Sequence, residues 1–296
     1  MNRMKTIKEY KRAYLNWAFV LYSYKIKNKK TIKIKIRNGN TLIVPREMVN
    51  FIKELSKINK PPKNGFEFDS YNGILTFPYS GKIIKMKFYE NGIFNGEFAS
   101  FLGDYDFLKP IEGSTVIDVG ANIGDSSVWF AIMGASAVIG LEPYKWSYNM
   151  ALKNIEINNL SGSIVILNAG YGPTGEIELE DTITNIGTEL KEHEGGIKTP
   201  LFTLKDILNG NNAIINDDLL LKMDCEGCEY NLLDEETDTL KMFKRIVIEY
   251  HHGYENLVVK LREHNFDVKY TEPHKWYDRD NERNFDQGYI YAKQIN

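Results

Sequence analysis

Cysteine is nearly absent from this chain, with two residues among 296. That count argues against a disulfide-stapled scaffold and fits a reducing compartment. Long apolar runs are missing as well. The most apolar stretch, Ala13–Tyr24, is about a dozen residues long, short of the ~20 needed to span a bilayer. No small-residue cleavage site follows it, so a secretory leader is not indicated. There is no internal repeat and no low-complexity tract, which sets aside repeat architectures. The glycine spacing also lacks the Gly-x-Gly-x-x-Gly of dinucleotide sites.

What is present is the balance of a globular protein, 43% hydrophobic and 26% charged, in a length that holds one large or two ordinary domains. The net charge of −3 conceals an asymmetry. Residues 1–37 carry 12 Lys or Arg against the single acid Glu9, giving +11, and the remainder holds 25 basic and 39 acidic residues, giving −14. Such a basic block reads either as a surface for anionic lipid or a polyanion, or as a solvated helix face with a Lys-rich edge strand. Ala13–Tyr24, flanked by Lys11-Arg12 and Lys25, reads as one helix, either lying in a membrane surface or docked on the protein's own core. Thr31–Ile36 and Thr41–Val44 alternate as a hairpin, a helix is predicted over Glu47–Ile58, and alternation resumes over 66–89 around Asn72-Gly73 and Ser80-Gly81 turns. Residues 1–109 therefore read as a small α+β region and 110–296 as a second, larger domain.

From residue 114 strands and helices alternate. Strands are predicted at 115–119, 137–142, 163–168, 219–224 and 245–250, with 266–272 and 288–294 as an antiparallel hairpin. Residues 171–201, with Gly195-Gly196 and Pro200, read as a long mobile excursion near the site. The most telling segment runs from Val116 to Asp125: a β-branched strand, then Asp118, then Gly120 and Gly124 bracketing a turn into a helix. Glycine lets the backbone approach a ligand, and a helix start presents N–H groups to it. A carboxylate at Asp118 would repel a pyrophosphate, whereas S-adenosylmethionine, with a positive amino group beside its carboxylate, suits that mixed polarity. Glu142-Pro143 ends the next strand of the same βαβ unit, so its carboxylate emerges in the crevice beside the turn, placed for ribose hydroxyls.

These motifs resemble those of FkbM-type S-adenosylmethionine-dependent methyltransferases. The matching segments are residues 116–159, 202–208, the Lys-x-Asp-x-Glu-Gly-x-Glu strand end within 219–233, 246–252 and 288–294. Lys205, Cys225 and Cys228 depart from the family pattern. The resemblance implies a Rossmann-like seven-stranded α/β sheet with its last strand antiparallel, S-adenosylmethionine as cofactor, and O-methylation of a hydroxyl, on a sugar of a glycan or glycolipid. RNA methylation and a non-catalytic nucleoside-binding module are the alternatives. Nucleic acid ranks lower as a partner because no RNA-binding module is identifiable.

In that frame Asp118 meets the cofactor's amino group, Gly120, Ala121, Asn122 and Gly124 line its methionine part, Glu142 and Pro143 take the ribose, and Asn168 reaches the adenine. Asp125 opens the helix as its cap. Asp224, Glu226 and His251 sit on the acceptor side as candidate bases, with His252 beside them. Glu229 stabilises the following helix start, and Glu97 and Tyr105 close over the cofactor. Cys225-Glu226-Gly227-Cys228 is formally Cys-x-x-Cys, but no second pair completes four ligands, so no metal is expected. The protein is expected in the cytoplasm, with the basic block as a possible peripheral membrane contact.

Overall fold

The computed structural model describes residues 3–26, 29–37, 39–58, 65–90, 93–94, 99–180, 190–278 and 283–295. Two compact units divide between Leu102 and Gly103.

The first unit contains α1 (Arg3–Ala13), α2 (Trp17–Lys25), the hairpin β1 (Thr31–Lys35) and β2 (Thr41–Pro45), α3 (Met48–Ile58), the three strands β3 (Glu67–Asp69), β4 (Ile74–Tyr79) and β5 (Lys82–Lys87), the short pair β6 (Tyr89–Glu90) and β7 (Ile93–Phe94), and α4 (Ala99–Leu102). The single helix expected over Ala13–Tyr24 is instead broken. Tyr14 leaves α1 to bridge Ile36, and its buried hydroxyl donates to the Val49 carbonyl, so the chain turns at residues 14–16 before α2 begins. Alternation in β1 follows burial, with Ile32 and Ile34 inward and lysines outward. The β4–β5 turn uses Ser80 and Gly81, both at positive φ, as a two-residue hairpin requires. The core of this unit is aromatic: Phe51, Phe77 and Phe101 meet edge to face.

The second unit contains β8 (Thr115–Val119), α5 (Asp125–Ile132), β9 (Ala137–Leu141), α6 (Lys145–Ile157), β10 (Ile164–Leu167), β11 (Gly170–Tyr171), β12 (Gly175–Leu179), β13 (Ile197–Phe202), α7 (Leu204–Gly210), β14 (Leu219–Met223), α8 (Thr237–Leu240), β15 (Phe243–Tyr250), α9 (Glu255–Glu263), β16 (Phe266–Tyr270), β17 (His274–Asp278) and β18 (Arg283–Gln294). The main sheet has the order β10-β9-β8-β14-β15-β18-β16. β18 runs antiparallel between β15 and β16, and β17 prolongs the terminal hairpin along its first half. Strands β8, β9, β14 and the end of β15 are buried on both faces, which is why they read as continuous apolar runs. Strand order reverses at the β8–β14 boundary, and open α/β sheets bind ligands outside the carboxyl ends at such a point.

Two expectations change here. Residues 103–109 pack within the second unit, with Tyr105 stacked on Phe130 and Phe107 against Tyr291. The described part of the 171–201 excursion holds strands of a small sheet in which β13 is paired with β11 and β12, and a capping box at Thr203–Asp206 starts α7 directly after β13. Residues 181–189 of that segment lie outside the described residues.

Candidate active site

The spacing Lys-x-Asp at the end of β14 decides the floor of the site. Lys222 is the register partner of Asp118 across β14 and β8, so both side chains leave the same face of the sheet. Their charges meet at 3.0 Å, fully buried. The second Asp118 oxygen accepts from Ser126 at 2.7 Å and Ser127 at 2.6 Å, while Lys222 also donates to the Gly120 carbonyl at 2.8 Å. Asp118 thus lies beneath the glycine turn and faces inward: its oxygens answer to Lys222 and two helix-start serines rather than to the crevice. Lys222, quoted as part of the motif but given no role in the sequence, proves to be the hub of this floor.

The turn above it is tight. Gly120 and Ala121 donate their N–H groups to the Leu141 carbonyl at 3.1 and 2.8 Å, tying the turn to β9. Gly120 has φ +77°, and a Cβ there would fall 1.8 Å from the Asp224 carbonyl oxygen. The glycine is therefore required by the neighbouring strand end. Asn122 is left-handed at φ 47°. The helix cap is Gly124, left-handed and without a side-chain bond, so Asp125 is the first residue of α5 and not its cap. Burial among acidic neighbours pushes the Asp125 carboxyl up to about 7.

Glu142 stands at the end of β9 beside this turn. Its Oε2 accepts from the Asn122 N–H at 3.0 Å and its Oε1 from the Tyr144 N–H at 2.8 Å. Each oxygen has a second lone pair, so the carboxylate is oriented by the backbone and still competent to accept hydroxyls. Desolvation outweighs those bonds and pushes it up to about 7. Pro143 follows, and Asn168 donates its amide to the Glu142 and Pro143 carbonyls at 3.0 and 2.8 Å, holding the strand end in place. A desolvated, pre-oriented carboxylate beside a glycine turn fits the ribose of an S-adenosyl nucleoside.

The side expected to face an acceptor is built from the turn after β14. Asp224 accepts from the Tyr105 hydroxyl at 3.0 Å. Tyr105 is buried beside Asp224; Glu97 lies outside the described residues. Glu226 takes positive φ, 55°, which turns its carboxylate toward His251, with Oε2 3.3 Å from Nε2. Glu229 is fully buried and accepts from the His251 backbone N–H, while the same oxygen lies 3.0 Å from Nδ1. Its role is to orient His251, which sequence reasoning missed. Held between these two carboxylates, the His251 imidazole is pushed up to about 11 despite its burial. His251 is 1% exposed, so it sits behind Glu226 and out of an acceptor's reach. His252 points elsewhere: it is exposed, its N–H donates to the Tyr230 hydroxyl, and it bridges Asp286. Cys225 and Cys228 are joined in a disulfide, which runs against the reducing compartment read from the cysteine count and removes both as metal ligands. Behind Asp224 a second acidic group is packed. Tyr289 donates to Glu249 at 3.0 Å and lies 3.1 Å from Asp104, and burial beside Asp224 pushes Glu249 up to about 8.

The sheet is of the methyltransferase type, with a carboxylate at its second strand end and an acidic wall at the turn after β14. Residues 118–270 match the family described as Methyltransferase FkbM domain, and the chain belongs to that family. A curated relative, the tRNA U34 carboxymethyltransferase of Ruthia magnifica subsp. Calyptogena magnifica, is 26% identical over 118 residues, 40% of this chain and 36% of that protein. The chain thus matches about a third of that relative's length. Among solved structures, a putative rRNA methylase from Clostridium thermocellum aligns with TM-score 0.41 and 12% identity over 69% of this chain and 99% of that one. A putative tRNA methyltransferase of Streptococcus pneumoniae in complex with S-adenosyl-L-methionine aligns with TM-score 0.38 and 13% identity over 64% and 72%.

Proposed function

We propose that this enzyme methylates a hydroxyl group, on a sugar of a glycan or glycolipid, with Asp224 and Glu226 facing the acceptor. The observation that carries the reading is the charge of the acceptor wall. Asp104, Asp224, Glu226 and Glu249 gather there with the Tyr105 and Tyr289 hydroxyls. The cations described beside them, Lys222 and His251, are buried in ion pairs. Such a wall accepts hydrogen bonds from hydroxyls and repels a phosphate backbone.

S-adenosylmethionine supplies an already activated methyl group, so the chain's task is to bind, orient and deprotonate. Glu142 takes the ribose hydroxyls, the Gly120–Gly124 turn with Ala121 and Asn122 borders the methionine part, and Pro143 and Asn168 hold the nucleoside edge. Asp118 acts from beneath through Lys222. Asp224 and Glu226 receive the acceptor's proton, while His251, oriented by Glu229, positions Glu226.

The basic first unit supports a peripheral contact with an anionic surface carrying the substrate; no helix among the described residues is long and apolar enough to cross a membrane. The competing acceptor is RNA, the substrate class in the name of the curated relative. Incubation with isotope-labelled cofactor, a glycolipid extract and bulk tRNA, followed by mass analysis, separates them. Label on a sugar hydroxyl is expected; label on a tRNA base overturns the acceptor, and no label on either overturns catalysis.

A further inference from the structure

We propose that Asp224, Glu226 and His251 form a binding site for a divalent first-row metal cation. One donor atom from each lies within 4.8 Å of the others, a spacing from which a single ion is reachable by all three. The donors come from two strand ends: Asp224 and Glu226 from the turn after β14, His251 from the residue after β15.

Histidine is what distinguishes this group from an ordinary acidic cluster. Its Nδ1 faces the buried Glu229, which also holds the His251 backbone N–H at 3.0 Å. That pairing keeps a proton on Nδ1, which donates to Glu229, and leaves Nε2 facing Glu226 and Asp224. Nε2 is buried and makes no hydrogen bond of acceptable geometry, although a Glu226 oxygen lies 3.3 Å away. Two carboxylates and the Nε2 of His251 therefore converge on one point. A positive charge belongs there, either a proton on Nε2 or a metal ion that replaces it. Glu229 behind the imidazole is the carboxylate that metal-bound histidines use to fix tautomer and ring orientation. The left-handed backbone of Glu226 turns its carboxylate into the group.

One imidazole with two carboxylates suits Mn2+ or Zn2+, and three protein ligands leave positions open. An acceptor hydroxyl would fill one of them and be acidified there, a use that rests on the hydroxyl-methylating reading.

The test is a titration of the full-length protein, freed of metal by chelation, with Mn2+ followed by electron paramagnetic resonance and with Zn2+ by calorimetry. One ion per chain is expected, with affinity at least tenfold weaker in Glu226→Gln and in Asp224→Asn. Glu226 is half-buried, and retention of the wild-type circular dichroism spectrum is the check that its amide variant keeps the fold. Absence of saturable binding of either ion overturns the site, as does stoichiometric binding unchanged in both variants. The readout does not depend on turnover. An ion bound without methyl transfer leaves the site standing and removes the reaction; methyl transfer without ion binding does the reverse.

Discussion

Lys222 and Asp118 face each other at 3.0 Å across the β8–β14 boundary, with side chains 2% and 0% exposed. The geometry explains why both belong to the sequence pattern. The switch point of the sheet leaves a gap under the glycine turn, and a paired charge fills it while holding the Gly120 carbonyl and two serine hydroxyls. Removing one partner strands the other without water. Lys222→Met should therefore cost about 3–5 kcal/mol, read as a lower urea midpoint, and Asp118→Asn added to it should recover part of the loss. An unchanged midpoint in Lys222→Met would show that the pair does not hold the floor.

Acidity should govern stability through Asp125 and Glu142. Desolvation raises both carboxyls to about 7 from ordinary values of 3.8 and 4.5. In the unfolded chain they ionise at those ordinary values. Between roughly pH 4.5 and 7 the folded protein thus retains protons that the unfolded chain has released. Their contribution is most favourable below the unfolded values and is lost as pH rises through that window. Urea midpoints across it should fall less steeply in an Asp125→Asn, Glu142→Gln variant than in wild type; parallel curves would refute the assignment.

The disulfide between Cys225 and Cys228 closes a four-residue loop that carries Glu226. Chain-entropy arithmetic for so short a loop gives about 2 kcal/mol. Replacing both cysteines by serine should lower the melting temperature of the second unit by roughly 4–8 °C. A dithiol reductant should do the same to wild type and nothing further to the variant. Identical scans of oxidised wild type and variant would remove the bond from the stability account.

An exposed apolar stripe makes the basic first unit testable at membranes. Phe19 and Tyr22 of α2, with Leu15 in the preceding turn and Ile26 just past the helix end, are 46%, 69%, 55% and 40% exposed. Lys11 lies over the Trp17 ring and Lys29 over the Phe19 ring. Aromatic residues entering an interface beside lysines bind anionic bilayers through both terms. Phe19→Ser with Tyr22→Ser should weaken sedimentation with phosphatidylserine vesicles at least tenfold, since each ring is worth on the order of 1.5–3 kcal/mol when removed from water. Raised salt should weaken wild-type binding too. Equal binding by wild type and variant would leave the stripe as ordinary surface.

Strands β8, β9, β14 and β15 were legible because they are buried largely on both faces, where apolar runs are long and leave little alternative. The glycine turn and the Glu142 strand end were legible for a related reason: local spacing places them in one βαβ unit. Tyr14 broke the expected first helix because a bridge to Ile36 and a bond to Val49 outweigh helical propensity, and both partners are distant in sequence. The excursion over 171–201 read as loop because β11 and β12 are short and acquire meaning only once β13 lies beside them.

Local order of residues was enough to set the sheet, the family and the carboxylates at the strand ends, since strand period and βαβ chirality act within a few dozen positions. Only the assembled molecule decided what each carboxylate does. Asp118 turned inward because Lys222, more than a hundred residues away, is its register partner. His251 moved behind Glu226 because Glu229 draws its imidazole into the core. Charges act over ångströms in space, and no spacing along a chain records which distant side chain will stand across the gap.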